Sequence, residues 1–154
     1  MMASRLFKIG AAGVFVMGLG VSLALASADD AVKGRQNCMK NGHGKMVSML
    51  VPIFKGEQPY DPKTVEAAIA VNNAACADWD KWWGADAKKG ETAETWARPE
   101  IWNDPKGFEA AAGNFYDKYL ALKATTDEAT FKAAFVEMGN GCKGCHEKFR
   151  RPKE

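Results

Sequence analysis

This 154-residue chain has almost no excess charge of either sign: 21 lysines and arginines stand against 19 aspartates and glutamates, a formal net charge of +2. A nucleic-acid binder needs a concentrated basic surface, so that class of partner is excluded. Internal repeats and low-complexity tracts are missing, as are a Ser-His-Asp set, paired acids and nucleotide-binding glycines, so the sequence does not read as an enzyme of the common classes. Histidine is down to two residues and cysteine to four, which leaves little material for a closed four-ligand zinc site. With 47% hydrophobic and 26% charged residues, the composition is that of one globular domain and not of a disordered chain.

The amino-terminal stretch has what the rest lacks, a long uncharged run. Arg5 and Lys8 precede residues 9–28, which carry no charge and end in Ala26-Ser27-Ala28 before Asp29-Asp30. A basic start, an apolar middle and a small-residue exit predict a secretory signal peptide over 1–28, cleaved after Ala28, with export to the periplasm and a mature domain over 29–154. The run is long enough to span a bilayer as an uncleaved anchor, but Gly10, Gly13, Gly18 and Gly20 and the small residues favour removal. Cleavage takes away two positive charges and leaves 19 basic against 19 acidic groups.

Downstream the apolar period is helical throughout. Val32, Met39, Met46 and Ile53 recur every seven residues, with Arg35, Gly42 and Met49 between them, and predict a helix from about Ala31 to Phe54. Asp61-Pro62 gives a cap and a first-turn proline for a second helix reaching about Trp83, with Val65, Ile69, Cys76, Trp79 and Trp83 inward and Asn72 the one polar member of the stripe. Residues 84–103 read as a linker, and loops this long usually do or cover something. Asp104-Pro105 opens a third helix with Phe108, Ala112, Phe115, Tyr119 and Leu122 inward, and a fourth starts near Thr126-Asp127. Its stripe is Phe131, Phe135, Met138, Cys142, Cys145 or His146, and Phe149. The expected fold is all-α, an antiparallel up-down-up-down four-helix bundle.

Cys142-Lys143-Gly144-Cys145-His146 is the attachment sequence of c-type haem. Thiols three residues apart reach the two vinyl groups of one porphyrin edge, and the adjacent imidazole then falls under the iron. One haem c, held through Cys142 and Cys145 with His146 as proximal ligand, is the cofactor expected. A thioredoxin-like pair would follow a strand, and none is visible; a zinc site would have to recruit Cys38, His43 and Cys76.

A haem motif on the last helix of four resembles the class II cytochromes c, the cytochrome c′ family. Further matches are Arg35-Gln36, Lys55-Gly56-Glu57 with Pro59-Tyr60-Asp61, Arg98-Pro99-Glu100-Ile101-Trp102, and Phe149-Arg150 after the motif. The resemblance implies one of two branches. In one, the distal face is open and binds nitric oxide or carbon monoxide; in the other, a first-helix methionine ligates a low-spin iron and the protein carries electrons between redox partner proteins. Alignment from Arg35-Gln36 puts Met39 at the distal position, and the inward period agrees, so the low-spin branch is expected. Met46 and Met49 stay open as ligands, because one extra residue near Gly42-His43-Gly44 shifts the register after Met39. His43, between two glycines, reads as solvent-facing, with a bis-histidine haem as the alternative.

The resemblance further implies Arg35 near a haem propionate, Arg150 on the proximal side, and a homodimer through the first two helices. Trp96 and Trp102 are placed to shield the haem edge or to pack the linker. Cys38 and Cys76 are left either as a disulfide or as two buried thiols. Lys143, Lys148, Arg150, Arg151 and Lys153 make a basic end that either steers an acidic partner or simply matches the helix dipole.

Overall fold

The computed structural model describes residues 27–152. Apart from Ser27 and Ala28, the reading of 1–28 as a leader lies outside the described residues. No helix among them is long and apolar enough to cross a membrane.

Four rods form the bundle. The first is α1 (Ala28–Asn37), a π-helical segment (Cys38–Gly44) and α2 (Lys45–Phe54) in one continuous run; the others are α3 (Pro62–Ala75), α5 (Pro105–Lys123) and α6 (Glu128–Phe149), with a short α4 (Glu100–Asn103) before α5. The starts follow from the residues found there. Asp61, Asp104 and Asp127 accept hydrogen bonds from Lys63 N, Gly107 N and Thr130 N, and Pro62 and Pro105 sit where no amide donor is needed. The first rod stops at Gly56, whose φ of 74° suits glycine. Short turns join α2 to α3 and α5 to α6, giving the antiparallel arrangement expected.

Two expectations fail locally. The first helix is not uniformly α: its π segment widens one turn and takes up an additional residue. Met46 and Ile53 are buried as expected, but Leu50 joins them in place of Met49, and Cys38, off the expected stripe, is fully enclosed while Met39 is half-buried. The second helix ends at Ala75, not near Trp83, because Cys76 leaves helical geometry (φ −111°, ψ 13°) and the chain continues as a 3₁₀ turn over Trp79–Trp82.

A dry core fills the end of the bundle near the α2–α3 turn, with Met46, Leu50, Ile69, Leu122, Phe131 and Met138 closely packed. The other end is closed by aromatic side chains and by the 84–103 segment, which is pinned and not free. Asp29 accepts from Thr92 N and Ala93 N, Gln36 Nε2 donates to Glu94 O, and Arg98 N donates to Phe149 O. Between the two ends lies open space.

Candidate haem site

Cys142, Cys145 and His146 project from one side of α6, as residues three and four apart must. Both thiols are free and half-buried, and burial pushes their pKa up. The ring of His146 has a lowered pKa through burial and then through the charge of Arg150, so it is neutral at pH 7, the form that binds metal.

Two cavities, of about 610 and 920 Å³, open between the helices. Met39, Trp79, Cys145 and His146 border both, which makes the two cavities one slot with Met39 of the first rod and His146 of α6 at its middle. Met46 is enclosed in the dry core, Met49 packs against that core, and neither borders the slot. Of these three methionines, only Met39 borders the slot.

Arg35 lies at the edge of the smaller cavity, only 5% exposed. Its Nη1 donates to Trp82 O at 3.0 Å and Ala87 O at 2.8 Å, and its guanidinium packs over the rings of Trp83 and Trp102. Its Nε and Nη2, and Trp83 Nε1 beside it, are buried with no acceptor. Three orphaned donors and an uncompensated positive charge in one corner require an anion. Carboxylates on the rim of a haem would satisfy them, so the residues present fit that group.

Arg150 does not lie on the helical face one turn from His146. It is the first residue beyond α6, in extended conformation, bridged to Ala97 and with its guanidinium 4.6 Å from the ring centroid of Trp96. It still borders the smaller cavity with His146, as Trp96 does. Trp102 is held by its own Nε1, which donates to Trp83 O and Gly84 O. The basic end is largely internally paired: Lys148 with Asp104 at 2.6 Å, Lys143 with Glu147 at 3.7 Å and Arg151 with Glu94 at 3.9 Å. Lys153 lies outside the described residues. This pairing favours the reading of a matched helix end over a steering patch.

His43 is the clearest departure from expectation. It borders the larger cavity and is partly buried, not turned outward to solvent as expected. The π turn rolls it inward, where its ring meets Phe115 edge-on at 4.9 Å and Nε2 lies 3.7 Å from Cys38 Sγ. Burial and then the charge of His146 lower its pKa to about 4, against a smaller opposing effect of Asn72. Cys38 and Cys76 are joined as a disulfide between the π segment and the end of α3, with Cα atoms 4.7 Å apart. The disulfide is one of the two fates the sequence left open for these cysteines, and glycine at 42 makes room for it, since a Cβ there would stand 2.8 Å from Cys76 Sγ.

The cytochrome c′ family model matches residues 30–150. A cytochrome c′ of Rubrivivax gelatinosus is 35% identical over 127 residues, 79% of this chain and 94% of its own. Cytochrome c-556 of Rhodopseudomonas palustris is 31% identical over 130 residues, 82% of this chain and 87% of its own. A nitric oxide complex of a variant of the Alcaligenes xylosoxidans cytochrome c′ superposes with a TM-score of 0.68 at 31% identity, covering 83% of this chain and 99% of that one.

Proposed function

We propose, since this chain belongs to the cytochrome c′ family, that it is a periplasmic monohaem electron carrier whose iron is low-spin, with His146 and Met39 as axial ligands. The observation that carries this reading is that these two side chains, from facing rods, border both halves of the slot. Bound haem supplies a one-electron iron couple. Cys142 and Cys145 anchor it through thioethers. His146 is held neutral to coordinate from α6, while Met39 provides a soft donor that raises the potential relative to a second imidazole. Arg35 and Trp83 Nε1 would receive the haem carboxylates, and Trp96 under Arg150 would shield the group from one wall of the smaller cavity. Export follows from the leader over 1–28, with cleavage after Ala28, and the family pattern adds a homodimer through the first two helices.

The test is the absorption spectrum of the purified ferric protein. A sulfur-to-iron charge-transfer band is expected, and it should vanish in Met39→Ala while haem stays covalently attached. A second reading has its own support: the superposed Alcaligenes structure is a nitric oxide complex, and a cavity of about 920 Å³ lies beside Met39. On that reading the iron is five-coordinate and takes nitric oxide or carbon monoxide. A high-spin ferrous spectrum that converts promptly with carbon monoxide would select it and exclude the carrier.

A further inference from the structure

The pair Met39 and His146 leaves one enclosed nitrogen donor without a task. His43 stands four residues after Met39, on the π segment, and borders the same cavity as Met39, Cys142 and His146. Its ring is weakly held: Nε2 faces a sulfur already committed to the disulfide at 3.7 Å, Nδ1 is buried with no partner, and Asn72 is the one polar side chain near enough to act on it, without a hydrogen bond of ordinary geometry. The edge contact with Phe115 would be served as well by an apolar ring. A buried polar group with no partner costs free energy, so its retention here calls for a use that the protein groups alone do not supply. Rotation about Cβ–Cγ sacrifices no ordinary hydrogen bond, and the glycines on either side, Gly42 and Gly44, add no side chains to obstruct it.

We propose that His43 is a reserve axial ligand, an imidazole kept one helical turn from Met39 that takes the sixth position on iron when the thioether is lost. The proposal rests on the reading of Met39 and His146 as the resident pair. An imidazole favours ferric over ferrous iron relative to a thioether, so the exchange belongs to the oxidised protein. The π turn is what makes it available, since it brings a residue with no solvent-facing role into the slot without displacing Met39 from it.

The experiment uses the full-length holoprotein and three Met39 variants, Met39→Ala, Met39→Leu and the double variant Met39→Ala/His43→Ala, with His43→Ala alone as a fourth variant. Covalent haem is confirmed by haem staining after denaturing electrophoresis, and the ferric state is read by absorption and electron paramagnetic resonance. Expected are a sulfur band in the parent protein, a low-spin signal without that band in both single Met39 variants, and a high-spin signal in the double variant. Azide, a ligand of ferric haem, gives a second readout: if His43 holds the iron nine-tenths of the time in Met39→Ala, apparent azide affinity there is about tenfold weaker than in the double variant. A high-spin signal in both single Met39 variants, beside a sulfur band in the parent, overturns the His43 proposal alone. A parent that is low-spin without the band, and that becomes high-spin on His43→Ala, overturns the Met39 reading and leaves His43 as a donor. A high-spin parent overturns both.

Discussion

Arg35 is buried among backbone carbonyls and indole rings, and among the described residues no carboxylate pairs with it. The carbonyls and rings stabilise this cation only in part, and its missing counter-charge comes when an anion arrives, so its charge is coupled to the haem it would hold. Two unit charges about 10 Å apart at an effective dielectric constant of about 20 interact by about 1.7 kcal/mol, on the order of 70 mV for a one-electron couple. Arg35→Gln should therefore lower the reduction potential by tens of millivolts, because a cation nearby disfavours the ferric form, while Arg35→Lys should stay close to the parent. Redox titration of the three proteins measures this; equal potentials would place Arg35 away from the haem. Arg35, Met39 and His146 were legible as lining positions through the apolar stripes and the family motifs, and all three border the smaller cavity, though Met39 falls within the π segment and is only half-buried. His43 was not, because its direction depends on a local change in helical pitch that a fixed 3.6-residue period does not contain.

At the scale of elements, the π segment and the disulfide act together. The π turn turns Cys38 into the bundle, and Cys76, at the point where α3 breaks, meets it. Closing a loop of 38 residues removes chain entropy worth about 4 kcal/mol on the unfolded side. Thiol reductant should lower the denaturant midpoint of the parent protein, and Cys38→Ala/Cys76→Ala should start from that lower midpoint and no longer respond, because thioethers are not reduced. The glycines divide by what a side chain would meet. At Gly42 a Cβ would stand 2.8 Å from Cys76 Sγ and 3.2 Å from Ala75 Cβ, so Gly42→Ala should cost about 1–3 kcal/mol. Gly139, inside α6 with nothing within 4 Å, should gain about 0.5–1 kcal/mol on changing to alanine. Urea titrations of both variants decide the signs. The helix starts were readable from Asp-Pro and Asp caps, since capping is local chemistry; the end of α3 was not, because Trp79 and Trp83 keep the four-residue spacing of an α-helix and their rings still meet at 4.8 Å, although the chain between them turns as 3₁₀.

At the scale of the whole molecule, the question is what holds the long central segment over the slot. By its length the sequence marked 84–103 as a segment that does or covers something, but its anchor lies more than 60 residues away at the start of α1. There Asp29 accepts from Thr92 N at 3.1 Å, from Ala93 N at 3.0 Å and from the Thr92 hydroxyl. The hydroxyl of Thr92 first, and the two backbone amides after it, hold the Asp29 carboxyl down to about 2. Thr95, Trp96 and Ala97, a few residues on, border the cavity where Arg35 waits, so this contact joins the chain's first helix to the wall of the site. Cleavage after Ala28 would make Asp29 the first residue and remove Ser27, the cap of α1, leaving this contact as the main tether of the mature amino terminus. The sign of the pH effect follows from the direction of the shift. The unfolded chain takes up a proton near pH 4 and the folded one only near pH 2, so the stabilisation is complete above about pH 4 and is lost as pH falls toward 2. Asp29→Asn should therefore be less stable than the parent at pH 6, and the gap between their denaturant midpoints should close between pH 4 and 2. Asp104, held down by Lys148, and Asp127, held down by Thr130, lose stabilisation in the same acidic direction in both proteins, so the comparison isolates Asp29. A gap independent of pH would mean that the tether works through shape and not through charge.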